Sequence, residues 1–373
     1  MESVRSRLLT ALLPSLALVL AGCSASGEPA ADPEPSAESS QPPTSSSPTP
    51  TESDSEEPES ESETKEPRKA EPAPPVSVPG LAEQRHTGDR LRLGAVREQT
   101  AAYTSYDVTY RSRSTTGPQQ GGEESYTISG VLNIPTGRGP FPAVVLAHGY
   151  IDPAFYVRGQ GMTRERGYLA ARGYIALHVD YRNHAESDND PNYQNRMRLG
   201  YSADVINAVK ALRKSRAVPV DDDRMALFGR SMGGGVILKA LVAEPGLVQA
   251  AAPWASVSSI EAQNYRQFMA DDPEDDDIRT QLIARHGTPA QNPAFWRQNS
   301  SRPYFEEITE PVLMVHGTFD DTCPPRWARA TQQALVAAGV RSKLQWYEDG
   351  HAFGPAFNAA MNRTVQFFDA RLG

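Results

Sequence analysis

Cysteine is nearly absent from this chain: Cys23 and Cys323 are the only two in 373 residues, which excludes a disulfide framework and a thiolate zinc cluster. Aromatic residues are missing from the first hundred positions, because all 4 Trp, 14 Tyr and 11 Phe lie at or after Tyr103. That stretch therefore lacks the side chains that dominate core burial. Basic charge is not in excess either. The net charge is -9, and residues 24–80 alone hold 13 Asp/Glu against 3 Lys/Arg, leaving 33 acidic and 34 basic residues elsewhere. So nearly neutral a remainder excludes a strongly basic nucleic-acid-binding domain, which needs a concentrated Lys/Arg surface. There is also no internal repeat of roughly 20 to 50 residues.

What is present begins with an address. Arg5 and Arg7 precede an apolar run from Leu8 to Leu20, broken once by Pro14. It is shorter than the roughly 20 residues that span a bilayer, so residues 1–22 read as a signal peptide. Leu20-Ala21-Gly22-Cys23 resembles the lipobox of bacterial lipoproteins. The resemblance implies diacylglyceryl attachment to the Cys23 thiol, cleavage before it, and a protein anchored by lipid to the outer face of the cell membrane, where two or more acyl chains hold stably. Residues 23–80 then form a Ser/Pro/Glu-rich tether, with 13 prolines between Ser24 and Gly80 and no aromatics. Such a composition cannot offset the entropy of ordering; as a flexible coil it spans about 40 Å. Residues 81–102 read as a linker to a domain at 103–373.

From Tyr103 onward the pattern is that of a packed α/β domain. Tyr103 to Tyr110 and Tyr126 to Ile134, β-branched and aromatic, flank the Gly/Pro/Gln-rich stretch Gly117 to Gly122 and predict an antiparallel hairpin. Ala143–Ala147 is a continuous apolar run, the mark of a strand buried on both faces, and similar runs recur at Tyr174–Val179, Met225–Phe228, Ala250–Trp254, Val312–Val315 and Lys343–Tyr347. Helical stretches alternate with them at Thr163–Arg172, Leu199–Lys214, Gly233–Ala243, Arg326–Ala338 and Ala356–Ala370. The alternation predicts a mostly parallel sheet of about eight strands with helices on both faces. A polar insertion at about 256–304 interrupts it, as a lid would.

Gly229-Arg230-Ser231-Met232-Gly233 falls between the strand Met225–Phe228 and the helix that starts at Gly233. In that setting Gly-x-Ser-x-Gly is a nucleophile elbow: Gly229 and Gly233 permit a tight, strained turn that lifts the Ser231 hydroxyl over a helix N-terminus. Chain order then asks for an acid and, after it, a histidine. His351, in Asp349-Gly350-His351, is the histidine that follows the candidate acids, and the acid lies in His316-Gly317-Thr318-Phe319-Asp320-Asp321. An oxyanion hole takes one N–H from the residue after the nucleophile, Met232, and a second from the loop after the run Ala143–Leu146, which points to Tyr150 beside Gly149. His148 reads as a loop-shaping residue.

Together His148-Gly149, Gly229-Arg230-Ser231-Met232-Gly233-Gly234, His316-Gly317-Thr318-Phe319-Asp320 and Gly350-His351 resemble the α/β-hydrolase superfamily. The closest likeness is to the catalytic domain of prolyl oligopeptidase-like serine peptidases and to dienelactone hydrolase-like esterases, over about Tyr103 to Leu372. The family pattern His-Gly-x-x-Asp-x-x-Val-Pro selects Asp320 over Asp321, with Cys323 in the Val place and Pro324 after it. The resemblance implies a Ser231–His351–Asp320 triad, an acyl-enzyme, a small ester or short peptide substrate, no metal and no cofactor. Large members of that family carry a β-propeller that screens peptides, and residues 24–102 cannot supply one. Acyl transfer to a sugar hydroxyl and a silent surface-binding module are the alternatives.

Weaker signals have plain structural readings. Asp188-Asn189-Asp190-Pro191-Asn192 opens like a calcium loop, but Tyr193 and Leu199 stand where Gly and Glu are required, so it reads as a turn. The acidic run Asp271–Asp277 reads as a solvated face. Trp254, Tyr265, Phe268, Phe295 and Trp296 read either as lining of an acyl or leaving-group pocket or as plain core. His178 reads as a core histidine, and His184 as either buried or facing the cleft.

Overall fold

A computed structural model of the chain describes residues 72–115, 122–271 and 276–373. The signal segment, Cys23, nearly all of the tether, residues 116–121 and the middle of the acidic run at 272–275 lie outside the described residues.

The strands are β1 (Arg85–His86), β2 (Asp89–Gln99), β3 (Tyr103–Thr115), β4 (Glu123–Pro135), β5 (Phe141–Ala147), β6 (Ile175–Val179), β7 (Val220–Arg230), β8 (Ala250–Trp254), β9 (Val312–Gly317) and β10 (Ser342–Tyr347). They form one sheet, ordered β1-β3-β4-β6-β5-β7-β8-β9-β10, with β2 also pairing with β3. From β6 to β10 every pairing is parallel; β4 joins β6, and β3 joins β4, antiparallel. The helices are α1 (Val78–Ala82), α2 (Thr163–Ala170), α3 (Leu199–Arg213), α4 (Met232–Ala243), α5 (Glu261–Phe268), α6 (Asp276–His286), α7 (Pro293–Gln298), α8 (Pro325–Ala337) and α9 (Phe357–Leu372).

Two-faced burial explains the apolar runs. Along β5, Ala143, Val145 and Ala147 join the core beneath α3, α4 and α8, whereas Val144 and Leu146 join the core beneath α2 and α9. Successive side chains of a strand point to opposite faces, so a strand covered on both sides needs apolar residues at every position.

The 81–102 linker and the end of the 23–80 tether are corrected by the structure. Ser77 caps α1, its hydroxyl accepting from the Gly80 N–H at 2.9 Å, and Val78 and Leu81 are buried in the core with α4. Residues 85–86 and 89–99 are strands on the outer edge of β3. These two strands bring the sheet from about eight to ten. They were hidden because β2 is exposed along nearly its whole length: it carries polar residues on both faces and owes its conformation to pairing with β3.

Several histidines are buried in this body with their basicity suppressed. Burial pushes His86 down to about 4 and His148 to about 3, and it also lowers His178, His184 and His316. They stay neutral when folded, whereas the unfolded chain takes up protons near pH 6.5. Unfolding is then proton-consuming below that pH, so the associated stability is complete above about pH 6.5 and is lost as the pH falls toward 4. The carboxyls of Asp180 and Glu310, raised by burial, oppose this slope. Thermal unfolding is expected to be level from about pH 7 to 8 and to drop steeply below about pH 6, each histidine adding up to about 1.4 kcal/mol per pH unit. A melting temperature unchanged down to pH 4.5 would show that these rings are already charged in the fold.

Candidate active site

β7 ends at Arg230 and α4 begins at Met232, leaving Ser231 between them with φ 56° and ψ -122°. A side chain at positive φ is strained, and here three backbone contacts hold it. The Ser231 N–H donates to the Trp254 carbonyl at 2.9 Å, and its own carbonyl accepts from Gly234 at 2.9 Å and Val257 at 3.2 Å. The flanking glycines are required by crowding. A Cβ on Gly229 would lie 2.2 Å from the Gly233 carbonyl oxygen, and one on Gly233 would lie 2.0 Å from that of Ala147.

His351 Nε2 lies 3.0 Å from Ser231 Oγ, and its Nδ1 lies 2.9 and 3.0 Å from the two Asp320 oxygens. Nδ1–H therefore donates to Asp320, which leaves Nε2 as the acceptor facing the serine hydroxyl. Asp320 is 3% exposed and also accepts from the N–H groups of Thr322 and Cys323, at 3.1 and 2.7 Å. Asp321 is exposed and its carboxylate accepts from the Thr322 hydroxyl at 3.3 Å, away from the ring. The loop that carries His351 is braced from two sides. Arg164 donates to the carbonyls of Ala352 and Phe353, at 2.8 and 3.0 Å. Asp349 accepts from the N–H groups of Gly350, Gly354 and Ala356; burial would raise its carboxyl, but those donors together hold it below the usual range.

Ser231, His351, Met232 and Tyr150 line one cavity of about 480 Å³. Met232 opens α4, whose first N–H groups have no partner within the helix. Gly149 lies against the serine, where an added Cβ would be 3.1 Å from Ser231 Cβ. The rest of the wall is mostly apolar, and much of it, including Tyr265, Phe268, Met269 and Trp296, comes from the 256–304 insertion. That geometry suits transfer of an acyl group from a substrate to a serine hydroxyl.

The profile of the prolyl oligopeptidase family matches residues 161–373. The chain belongs to the prolyl oligopeptidase family. It is 30% identical over 164 residues to dipeptidyl peptidase 4 of Felis catus, covering 43% of this chain and 20% of that protein. It is 29% identical over 191 residues to the prolyl endopeptidase FAP of Bos taurus, covering 49% of this chain and 23% of that one. The chain thus spans about a fifth of the length of these relatives. Among solved structures, acetyl xylan esterase 1 of Thermoanaerobacterium sp. superposes with a TM-score of 0.58 at 20% identity, covering 79% of this chain and 91% of the esterase. The acylaminoacyl peptidase of Pyrococcus horikoshii gives a TM-score of 0.51 at 16% identity, covering 76% and 56%. These likenesses identify the α/β-hydrolase fold.

Within this prolyl oligopeptidase-family chain the remaining candidates separate cleanly. His148 is buried, with Nδ1 2.6 Å from the Gly149 carbonyl and Nε2 3.2 Å from that of Asp180, so it shapes the Tyr150 loop as expected. His178 is a core residue beside Arg166. His184 is buried too, packed among His148, Tyr156 and Tyr201 rather than lining the cavity. Trp254 is core, its indole N–H donating to Thr364 at 3.1 Å, and Phe295 stacks on His286 at 4.0 Å. Tyr265, Phe268 and Trp296 are the aromatics of that group that line the cavity. Asp188 and Asp190 brace their turn through the N–H groups of Thr127 and Asn192. His316, which the sequence offered only as part of a family string, donates to the Cys323 carbonyl at 2.8 Å and sits 3.3 Å from Asp320. Met197 and Arg198, also in the cavity wall, carried no pattern that could have found them.

Proposed function

We propose that this chain is a serine hydrolase, held outside the cytoplasmic membrane by lipid on Cys23, that cleaves a carboxylic ester or an N-blocked short peptide. The observation that carries the reading is the alignment of Ser231, His351 and Asp320 at the wall of a mostly apolar cavity. In this mechanism Ser231 Oγ attacks the substrate carbonyl while His351 Nε2 takes its proton, and Asp320 fixes the ring and stabilises its cationic form. The N–H groups of Met232 and Tyr150 receive the oxyanion. Collapse of the tetrahedral intermediate expels the leaving group with the proton from His351, and water repeats the cycle on the acyl-enzyme. The lipobox and the tether composition support the location.

A cationic acyl end is disfavoured by the cavity's own charges. Among the described residues Glu261 is the acidic side chain lining it, and Glu261 pairs with Lys239 at 2.8 Å. A free ammonium entering here finds, among the described residues, no unpaired carboxylate to replace its lost hydration. The peptidase reading is supported by the family match and by relatives named as peptidases. Purified protein assayed on 4-nitrophenyl butyrate, on acetyl-Ala-Pro-4-nitroanilide and on Ala-Pro-4-nitroanilide with its amine free separates these. The expected order of kcat/KM is ester, then blocked anilide, then free-amine anilide, the last two differing by at least tenfold. Preference for the free amine would overturn the ester assignment.

A further inference from the structure

Among the described residues three cationic side chains line the cavity: Lys239, Arg230 and Arg198. Lys239 is neutralised by Glu261 at 2.8 Å and Arg230 by Glu165 at 3.1 Å. Arg198 meets no carboxylate among the described residues; its contacts are uncharged. Its Nε donates to Gln194 Oε1 at 2.8 Å, a terminal nitrogen lies 3.8 Å from Met232 Sδ, and the guanidinium carbon stands 4.9 Å from the centre of the Tyr150 ring. It is thus held against the side chains of the two residues assigned to the oxyanion hole.

The backbone position itself does not call for an arginine. Arg198 is the N-cap of α3, where the helix carries partial positive charge and a cation has the unfavourable sign. It also lacks a side-chain cap bond and sits at φ 54°, directly after Met197 at φ 53°, so two successive residues with side chains occupy the left-handed region. α4 begins at Met232 beside it, adding a second helix N-terminus to the same corner. A guanidinium that meets no carboxylate among the described residues, close to two helix N-termini, suits an anion, and its fork matches a carboxylate in particular.

We propose that Arg198 is a specificity residue that binds a carboxylate of the substrate, so that the preferred ester is an anion. The inference rests on the reading above that substrates reach Ser231 through this cavity. The carboxylate belongs either to the acyl chain or to the leaving group, and two substrate pairs separate these. The acyl arm compares 4-nitrophenyl half-esters of succinate, glutarate and adipate with their neutral methyl esters. The leaving-group arm compares the butyrate ester of 3-hydroxybenzoate with phenyl butyrate.

The native protein is expected to prefer the anionic member of one arm by at least tenfold in kcat/KM. In Arg198→Gln that ratio falls at least tenfold, chiefly through KM, and Arg198→Lys restores part of it. An arginine that only supports the loop would lower both members equally and leave the ratio intact. A native protein without preference in either arm, or a preference that survives Arg198→Gln, overturns the proposal. Binding is read without turnover by calorimetry on Ser231→Ala protein with the N-butyl monoamides of the same diacids, expected to weaken at least tenfold when Arg198→Gln is added. If no ester is hydrolysed while this Arg198-dependent binding persists, the hydrolase reading fails and the carboxylate site stands. If neutral esters are hydrolysed and no carboxylate preference is found, the reverse holds.

Discussion

Ser231→Ala is expected to lower kcat/KM toward 4-nitrophenyl esters by about 10⁴ to 10⁶, while leaving the melting temperature near that of the native protein. The loss is large because the proposed route passes through a covalent bond to Oγ; what remains is positioning and oxyanion stabilisation. Stability is spared because the turn is held by backbone contacts, from Ser231 to Trp254, Gly234 and Val257, which alanine retains. Alanine at φ 56° is no more strained than serine. Steady-state kinetics and thermal unfolding on the same preparation check both halves. A variant that keeps more than a tenth of the activity would place the reacting nucleophile elsewhere.

Asp320→Asn is expected to lower kcat by about 10³ to 10⁴, whereas Asp321→Asn stays within about threefold. Asp320 is an acceptor at every contact: the N–H groups of Thr322 and Cys323 reach one oxygen, His351 Nδ1 reaches both, and His316 Nε2 stands 3.3 Å from the other. An asparagine has a single acceptor oxygen, which the two amide donors claim, so its NH₂ turns toward the imidazole. His351 then presents Nδ1 as the acceptor and carries its proton on Nε2. That tautomer cannot take the proton of Ser231. Single-turnover kinetics of both variants separate the two aspartates, and equal losses would mean that the acidic loop acts as a unit rather than through Asp320.

How much of this was legible in the sequence follows from how strictly each element ties residue type to position. The strands β5 to β10 were legible as a set because burial on both faces leaves most of them little choice but apolar residues, as in Ala143–Ala147. The elbow was legible because two glycines stand where an added Cβ would fall within 2.2 Å of other backbone, and the acid and histidine follow it in a fixed chain order. α1, β1 and β2 were not, since a short capped helix and a polar edge strand depend on partners distant in the chain. His184 was undecided for a related reason: its burial is set by Tyr156 and Tyr201, which meet it only in the fold. Arg198 left no trace at all, because its place in the cavity wall is set by Tyr150, Gln194 and Met232, which meet it only in the fold.

The insertion at 256–304 shows the same division. Its departure from strand–helix alternation marked it as an addition near the site, and its side chains do line the cavity. Which ones do so depended on packing: Trp296 donates its indole N–H to the Gly287 carbonyl at 3.0 Å and faces the cavity, while its neighbour Phe295 turns to His286.

The most direct measurement is covalent labelling of the purified protein with a fluorophosphonate, compared between the native chain and Ser231→Ala. An activated serine reacts, and an ordinary hydroxyl does not. One label per native chain, mapped by mass spectrometry to Ser231 and absent from the variant, is the expected result. Equal labelling of both proteins, or of neither, would contradict an active nucleophile at this elbow.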